Sequence, residues 1–340
     1  MAPIIAILAS SAALAAYDRY REQTRHVRFT AVQMMTIILF MEVKKLTYPE
    51  LAEKLDGRGG QVVRKNLGMP MGKDGRYLRP SNAWISTFRN HDFMMFCEEF
   101  EREMSEHILA QDRSSDPVFT ADSTPLEASR YSEWADFNPH YRIKMAKDHI
   151  IMVNGIPLFH RVTNGNKGDN PELRALVKRF GGTRLGGCFL TDGGYDSCES
   201  YIDVYLRTGT VMSSNVGVDG VIHPEANWKN VLRRYNRLHR EPNFKPSNMV
   251  TPDFVIRFLA NHGERELAGW FLRNLDIMRG DRIHAEHARM RHVCETVHHA
   301  MKRWVDFDVR GLHKKYVGRH IRQKVLVCQL LCLVFVPYEI

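Results

Sequence analysis

The sequence contains no internal repeat and no low-complexity tract, so neither a solenoid nor a solvated linker organises it. Its six cysteines, Cys97, Cys188, Cys198, Cys294, Cys328 and Cys332, form no CxxC pair and no Cys/His ladder. That spacing argues against a structural zinc site and fits a reducing cytosol. No apolar run reaches the roughly 20 residues that a membrane-spanning helix needs. The run from Ile4 to Ala16 has no Lys or Arg before it, which weighs against a secretory signal. The run from Val325 to Val336 reads as a buried closing helix. A cytoplasmic protein without a membrane partner is the expectation.

What the chain has in excess is positive charge. Lys and Arg number 48 against 39 Asp and Glu, and 16 histidines add to the positive side, so a polyanion is a reasonable partner. Apolar residues recur at helical spacing in VQMMTIILFMEV and FMMFCEEFEREMSEHIL, predicting an N-terminal all-helical domain over residues 1–112. Within it Thr47 is placed to N-cap a helix carrying Leu51, Ala52 and Leu55 on one face, followed by a Gly-containing break and a second short helix. That pattern suits a helix-turn-helix for DNA and equally two packed helices with a solvated basic face.

After Asp116-Pro117 the periodicity changes. Residues 118–121 read as a strand ending at Asp122, and two β-rich runs flank Asn154-Gly155, a strong hairpin signal. A helix, a strand from Cys188 ending at Asp192, another helix and another strand follow. The order predicts an α/β fold with a mixed sheet flanked by helices over residues 113–216. Residues 217–262 read as a loop-rich basic insertion carrying Lys229, Arg233, Arg234, Arg237 and Arg240 as DNA-contacting candidates. Helical signal resumes over residues 263–340.

The chemistry lies in the strand-end carboxylates. Hard divalent ions need anionic oxygen ligands, and a strand end holds a carboxylate rigidly at the rim of a sheet, where a phosphodiester can approach. Asp122 and Asp192 meet that description, although an Asp after a strand is more often a turn residue or a cap. On the long C-terminal helix Arg291, Glu295 and Lys302 share one face by spacing. The nearby His298 and His299 read as solvated or DNA-facing.

Together these motifs resemble the DDE transposases of bacterial and archaeal insertion sequences, in the branch whose third motif reads Y-x2-R-x3-E-x6-K. Arg291, Glu295 and Lys302 match its spacing, and Ala288 stands where the tyrosine would be. TADSTPLEA carries the first acidic position and LTDGGYDS the second, and similarity extends over nearly the whole chain. The resemblance implies an RNase H-like fold with two Mg²⁺ ions, or Mn²⁺ in their place, on Asp122, Asp192 and Glu295. It further implies phosphate contacts from Arg291 and Lys302, double-stranded DNA at transposon ends and target sites as partner, a homodimer in the synaptic complex, and association with the nucleoid. An RNase H-like nuclease without strand transfer, and a DNA-binding derivative with decayed catalysis, are the alternatives.

Overall fold

In the computed structural model the described residues are 2–24, 28–112, 116–128, 131–132, 134–139, 142–181, 185–214, 252–278, 295–303 and 314–335. The apolar N-terminal run is not one segment. It breaks at Ser11 into α1 (Ala2–Ser10) and α2 (Ala12–Thr24), whose Ile4, Leu8 and Leu14 are buried in the core. Among the described residues no helix is long and apolar enough to cross a membrane.

Capping fixes the next helices. Thr30 accepts from the Gln33 N–H at 3.2 Å while the Gln33 side chain accepts from the Thr30 N–H at 3.0 Å, a reciprocal pair opening α3 (Ala31–Val43). At α4 (Tyr48–Asp56) the Glu50 carboxylate accepts from both the backbone N–H and the hydroxyl of Thr47. Such caps contribute about 1 kcal/mol each. Leu51 and Leu55 of α4 are buried, and α5 (Gly60–Asn66) follows a glycine-containing break. The two helices expected around that break are present. Next come α6 (Asn82–Asn90) and α7 (Cys97–Gln111). The Met/Phe stripe around them is core at Phe93, Phe96, Phe100 and Met104, whereas Met94 and Met95 are exposed.

The sheet comprises β1 (Val118–Glu127), β2 (Asp136–Asn138), β3 (Ile143–Val153), β4 (Ile156–Asn164), β5 (Cys188–Thr191) and β6 (Val211–Ser214). β3 pairs antiparallel with β1 on one side and with β4 on the other; where β4 ends, β2 takes its place along β3. β5 and β6 continue parallel beyond β1. This is the expected mixed sheet flanked by helices, with α8 (Asp169–Val177) and α9 (Cys198–Thr208) as the first two helices of that region. The β3–β4 turn is Asn154-Gly155, both with positive φ (47° and 78°). Asn154 also accepts from the Val118 N–H at 3.0 Å and donates to Asp112 at 2.9 Å, tying the turn to the start of β1 and the end of α7.

Three expectations need correction. β1 does not end at Asp122 but runs on to Glu127, because β3 pairs with it through that last residue. β2 was not anticipated, being too short to show an alternating pattern. The segment expected to be loop through residue 262 contains the helix α10 (Pro252–Asn261), whose Val255, Ile256 and Leu259 are buried. The insertion residues Lys229, Arg233, Arg234, Arg237 and Arg240, and also Arg291, lie outside the described residues. After α10 come α11 (Arg265–Met278), α12 (residues 295–303) and α13 (Lys314–Phe335).

The expected buried closing helix is α13, which packs on β4 and also on α1, α3 and α7. A buried ionic network accompanies this packing. Glu101 of α7 meets Arg322 of α13 at 2.8 Å, Arg179 at 2.9 Å and His160 of β4 at 3.4 Å, and His160 meets Asp148 of β3 at 3.0 Å. Burial alone would lower the pKa of His160, but Asp148 and Glu101 outweigh it and raise the value to about 9. One residue of the network therefore touches the N-terminal helices, the sheet and the closing helix.

Removing Glu101 takes the shared carboxylate away from Arg322 and Arg179 and leaves His160 with Asp148 alone. Glu101→Ala is expected to cost about 3–5 kcal/mol in urea unfolding. Because the folded pKa of His160 lies above its ordinary value of 6.5, its protonation contributes stability that is fully present below about pH 6.5 and is lost as pH rises through about 9. Melting temperatures measured across that window should fall in the native chain and fall less in His160→Gln.

Candidate active site

The parallel pairing of β1 with β5 stops at Ala121 opposite Thr191. The next residues on the two strands are Asp122 and Asp192. Their juxtaposition follows from register alone, since parallel neighbours in register leave the sheet edge side by side. The two chains then diverge. Asp122 stays in β1 against β3, while Asp192 enters a tight turn, Gly193–Tyr195, and caps it by accepting the Gly194 N–H at 2.9 Å. Asp122 accepts the Ser123 N–H at 2.7 Å, and its side chain is one-quarter exposed.

Glu295, His298 and Lys302 lie at i, i+3 and i+7 on α12, hence along one face. That face meets Asp122. The Nδ1 atom of His298 is 3.3 Å from an Asp122 carboxylate oxygen, and His298 is buried. This corrects the reading of His298 as solvated or DNA-facing; His299 beside it is exposed. Lys302 is half-buried, and burial lowers its pKa while the Asp122 charge acts to raise it. Glu295 is exposed.

A third aspartate, unnoticed in the sequence, stands behind the pair. Asp169 opens α8 and is held by Lys147 at 2.7 Å and by His149 at 3.3 Å, both on β3. Burial would raise its pKa, but His149 and Lys147 outweigh burial and lower it to about 2. Among Asp169, Asp122 and Asp192 sits the buried phenol of Tyr195. Burial first, and then those three carboxylates, push its pKa well above the ordinary value of 10, so it remains a neutral O–H donor. The hydroxyl lies beside Ser123 with no hydrogen bond of good geometry. The LTDGGYDS stretch held Tyr195 in plain view; Asp169 is separated from Asp122 by 47 positions of chain and gave no such signal.

The donor chemistry of Asp122 and Asp192 suits a hard divalent cation, which takes anionic oxygens. Both carboxylates are oriented by backbone N–H groups. Among the described residues no three His, Cys, Asp or Glu side chains stand close enough together to hold an ion. Glu295 is therefore on the face that meets Asp122 without joining the two aspartates in a closed ligand set.

No model of a protein family matches the sequence, and no curated protein matches it. Solved structures similar to the chain include transposases. A piggyBac transposase synaptic complex with hairpin DNA aligns over 95% of this chain and 71% of that one, at 10% identity and a TM-score of 0.44. The catalytic domain of Mos1 mariner transposase aligns over 58% of this chain and 92% of that one, at 10% identity and a TM-score of 0.20. A Mos1 mariner paired-end complex with Mn aligns over 80% of each chain, at 13% identity and a TM-score of 0.23.

The His298–Asp122 contact gives a direct test of how α12 is held. Loss of one charge-assisted contact costs about 1–3 kcal/mol, so His298→Ala should speed amide hydrogen exchange across residues 295–303 while exchange in β1 stays slow. Unchanged exchange in that helix would mean the contact does not anchor it.

Proposed function

We propose that the chain is a DNA transposase of the DDE type that cuts and joins the DNA of an insertion sequence. The observation that carries this reading is the emergence of Asp122 and Asp192 side by side from two parallel strands, with the helix bearing Glu295, His298 and Lys302 against Asp122. A phosphoryl-transfer site needs oxygen ligands on a rigid rim that a nucleic acid strand can reach. Two divalent ions, Mg²⁺ or Mn²⁺, on Asp122, Asp192 and Glu295 would activate the attacking oxygen and stabilise the leaving one.

The protein's own residues have distinct tasks in this reading. Asp192 keeps one oxygen on the Gly194 N–H, so its carboxylate direction is set by the turn. Lys302 and Arg291 contact phosphates and offset the negative charge that would otherwise repel DNA from three carboxylates. The exposed Lys54, Arg58 and Lys65 around α4 and α5 offer the helical region's basic face to the duplex. Lys229, Arg233, Arg234, Arg237 and Arg240 extend the phosphate path. A homodimer holding two transposon ends, associated with the nucleoid, completes the proposal.

Two measurements test it. Neutralising several of the five insertion cations should weaken binding to unrelated duplexes alike and flatten the dependence of affinity on salt; an unchanged slope returns that segment to a solvated loop. In a strand-transfer assay with paired ends and a target plasmid, the native chain should cut and join in the presence of Mg²⁺. Asp192→Asn preserves the cap on Gly194, since Asn caps as well as Asp does, but removes the charge that holds a hard cation. Cleavage should fall by orders of magnitude with melting temperature and metal-free DNA binding retained. Cutting without joining by the native chain favours the nuclease; normal cleavage per folded Asp192→Asn molecule removes the carboxylate mechanism.

A further inference from the structure

Asp169 is not a cap of convenience at the start of α8. Its carboxylate is clamped to β3 by Lys147 and His149, and the Ser123 hydroxyl, next in chain to Asp122, also reaches it. On its other side it abuts the turn that follows Asp192. A Cβ placed on Gly194 would come 3.3 Å from Asp169 Oδ2 and 3.0 Å from Asp192 Oδ1, so both carboxylates border the side-chain position of the same glycine. Asn170 completes the hold: its Nδ2 donates to the Gly194 carbonyl at 3.0 Å, while its Oδ1 accepts from Ser200 of α9 at 2.8 Å.

We infer that Asp169 is a positioning residue of the reaction proposed above: anchored on β3, it fixes the Gly193–Tyr195 turn against β1 and thereby sets the separation and aim of Asp122 and Asp192. The inference rests on that reaction. Its physical basis is that Asp192 lies at the end of a strand of only four residues and continues into a glycine-rich turn, which leaves its direction poorly determined by the sheet. Two glycines in succession give the turn little stiffness of its own. The α8 terminus supplies what the turn lacks. Tyr195, fully buried with its hydroxyl among the three aspartates, fills the space between clamp and pair, so the clamp transmits to both carboxylates. Displacements of about 1 Å in such groups cost about a hundredfold in rate.

The test uses the full chain carrying Asp169→Asn, and separately Lys147→Gln, which removes the shorter of the two β3 contacts and leaves α8 unaltered. Each is measured for melting temperature, for DNA binding without divalent ions, for Mn²⁺ binding by electron paramagnetic resonance, and for single-turnover cleavage against Mn²⁺ concentration. Both variants should melt as folded proteins and bind DNA as the native chain does. Their cleavage rate should fall about ten- to a hundredfold, and the Mn²⁺ concentration at half-maximal binding should rise, because the paired carboxylates no longer hold one geometry. A merely structural role would lower the melting temperature and leave the Mn²⁺ midpoint and the rate per folded molecule unchanged; that result, or native behaviour of Lys147→Gln, overturns the inference. If the native chain neither binds Mn²⁺ nor cleaves DNA, the transposase reading falls and the inference falls with it. Native activity with unaffected variants removes the inference alone.

Discussion

Everything at the candidate site depends on four residue pairs, Val118 to Ala121 of β1 against Cys188 to Thr191 of β5. This short parallel ladder brings Asp122 and Asp192 together from positions 70 residues apart in the sequence. A slip of one residue would place Asp122 beside Thr191 and turn every β5 side chain to the opposite face. The register is held against that slip by burial: Phe119 and Phe189 are paired in the ladder, stacked with ring centres 6.1 Å apart and shielded from solvent. Aromatic packing inside the sheet thus determines where two carboxylates leave it.

The electrostatics around the pair follow a consistent logic. Acidic groups gathered at a sheet rim repel one another, and the fold places a cation or a proton donor beside each. Asp169 has Lys147 and His149, Asp122 has His298 with Lys302 nearby, and Asp196, just past the turn, has Arg273 of α11 at 3.0 Å. On the other side of β3 and β4, the Glu101 network balances Arg179, Arg322 and His160 in the same way. Buried ion pairs of this kind are weak sources of net stability, because desolvation offsets most of the attraction. Their effect is on arrangement: each pair is satisfied only when the helices and strands that carry its members are docked as found.

How much of this could be read from sequence varied with the range of the interaction. The Thr47 N-cap, the Asn154-Gly155 turn, the apolar stripe of α7 and the closing helix are written in residues a few positions apart, and all were legible. Asp122 and Asp192 were found because each sits at the end of an apolar run. Asp169 was not, since its contacts are with Lys147 and His149 on a distant strand, and nothing in DNPELRALVKRF distinguishes it from an ordinary first-turn acid. His298 misled for a similar reason. A polar helix rich in His and Arg reads as a solvated surface, and only the packing of its 295/298/302 face on β1 reveals a buried imidazole. α10 was hidden by the basic segment before it, which masked the buried spacing of Val255, Ile256 and Leu259.

Asn154 shows how narrow the choice of side chain becomes when one residue answers to a backbone angle and two neighbours. Its backbone turns with φ at 47°, its side-chain Oδ1 accepts the Val118 N–H, and its Nδ2 donates to Asp112. Glycine would adopt the turn and lose both side-chain bonds. Aspartate could keep the turn and the bond to Val118, yet would set a second carboxylate against Asp112. Serine is too short to span both partners. Asparagine combines tolerance of that backbone angle with a donor and an acceptor on one short planar amide. The position that ties down the start of β1 therefore has a very short alphabet.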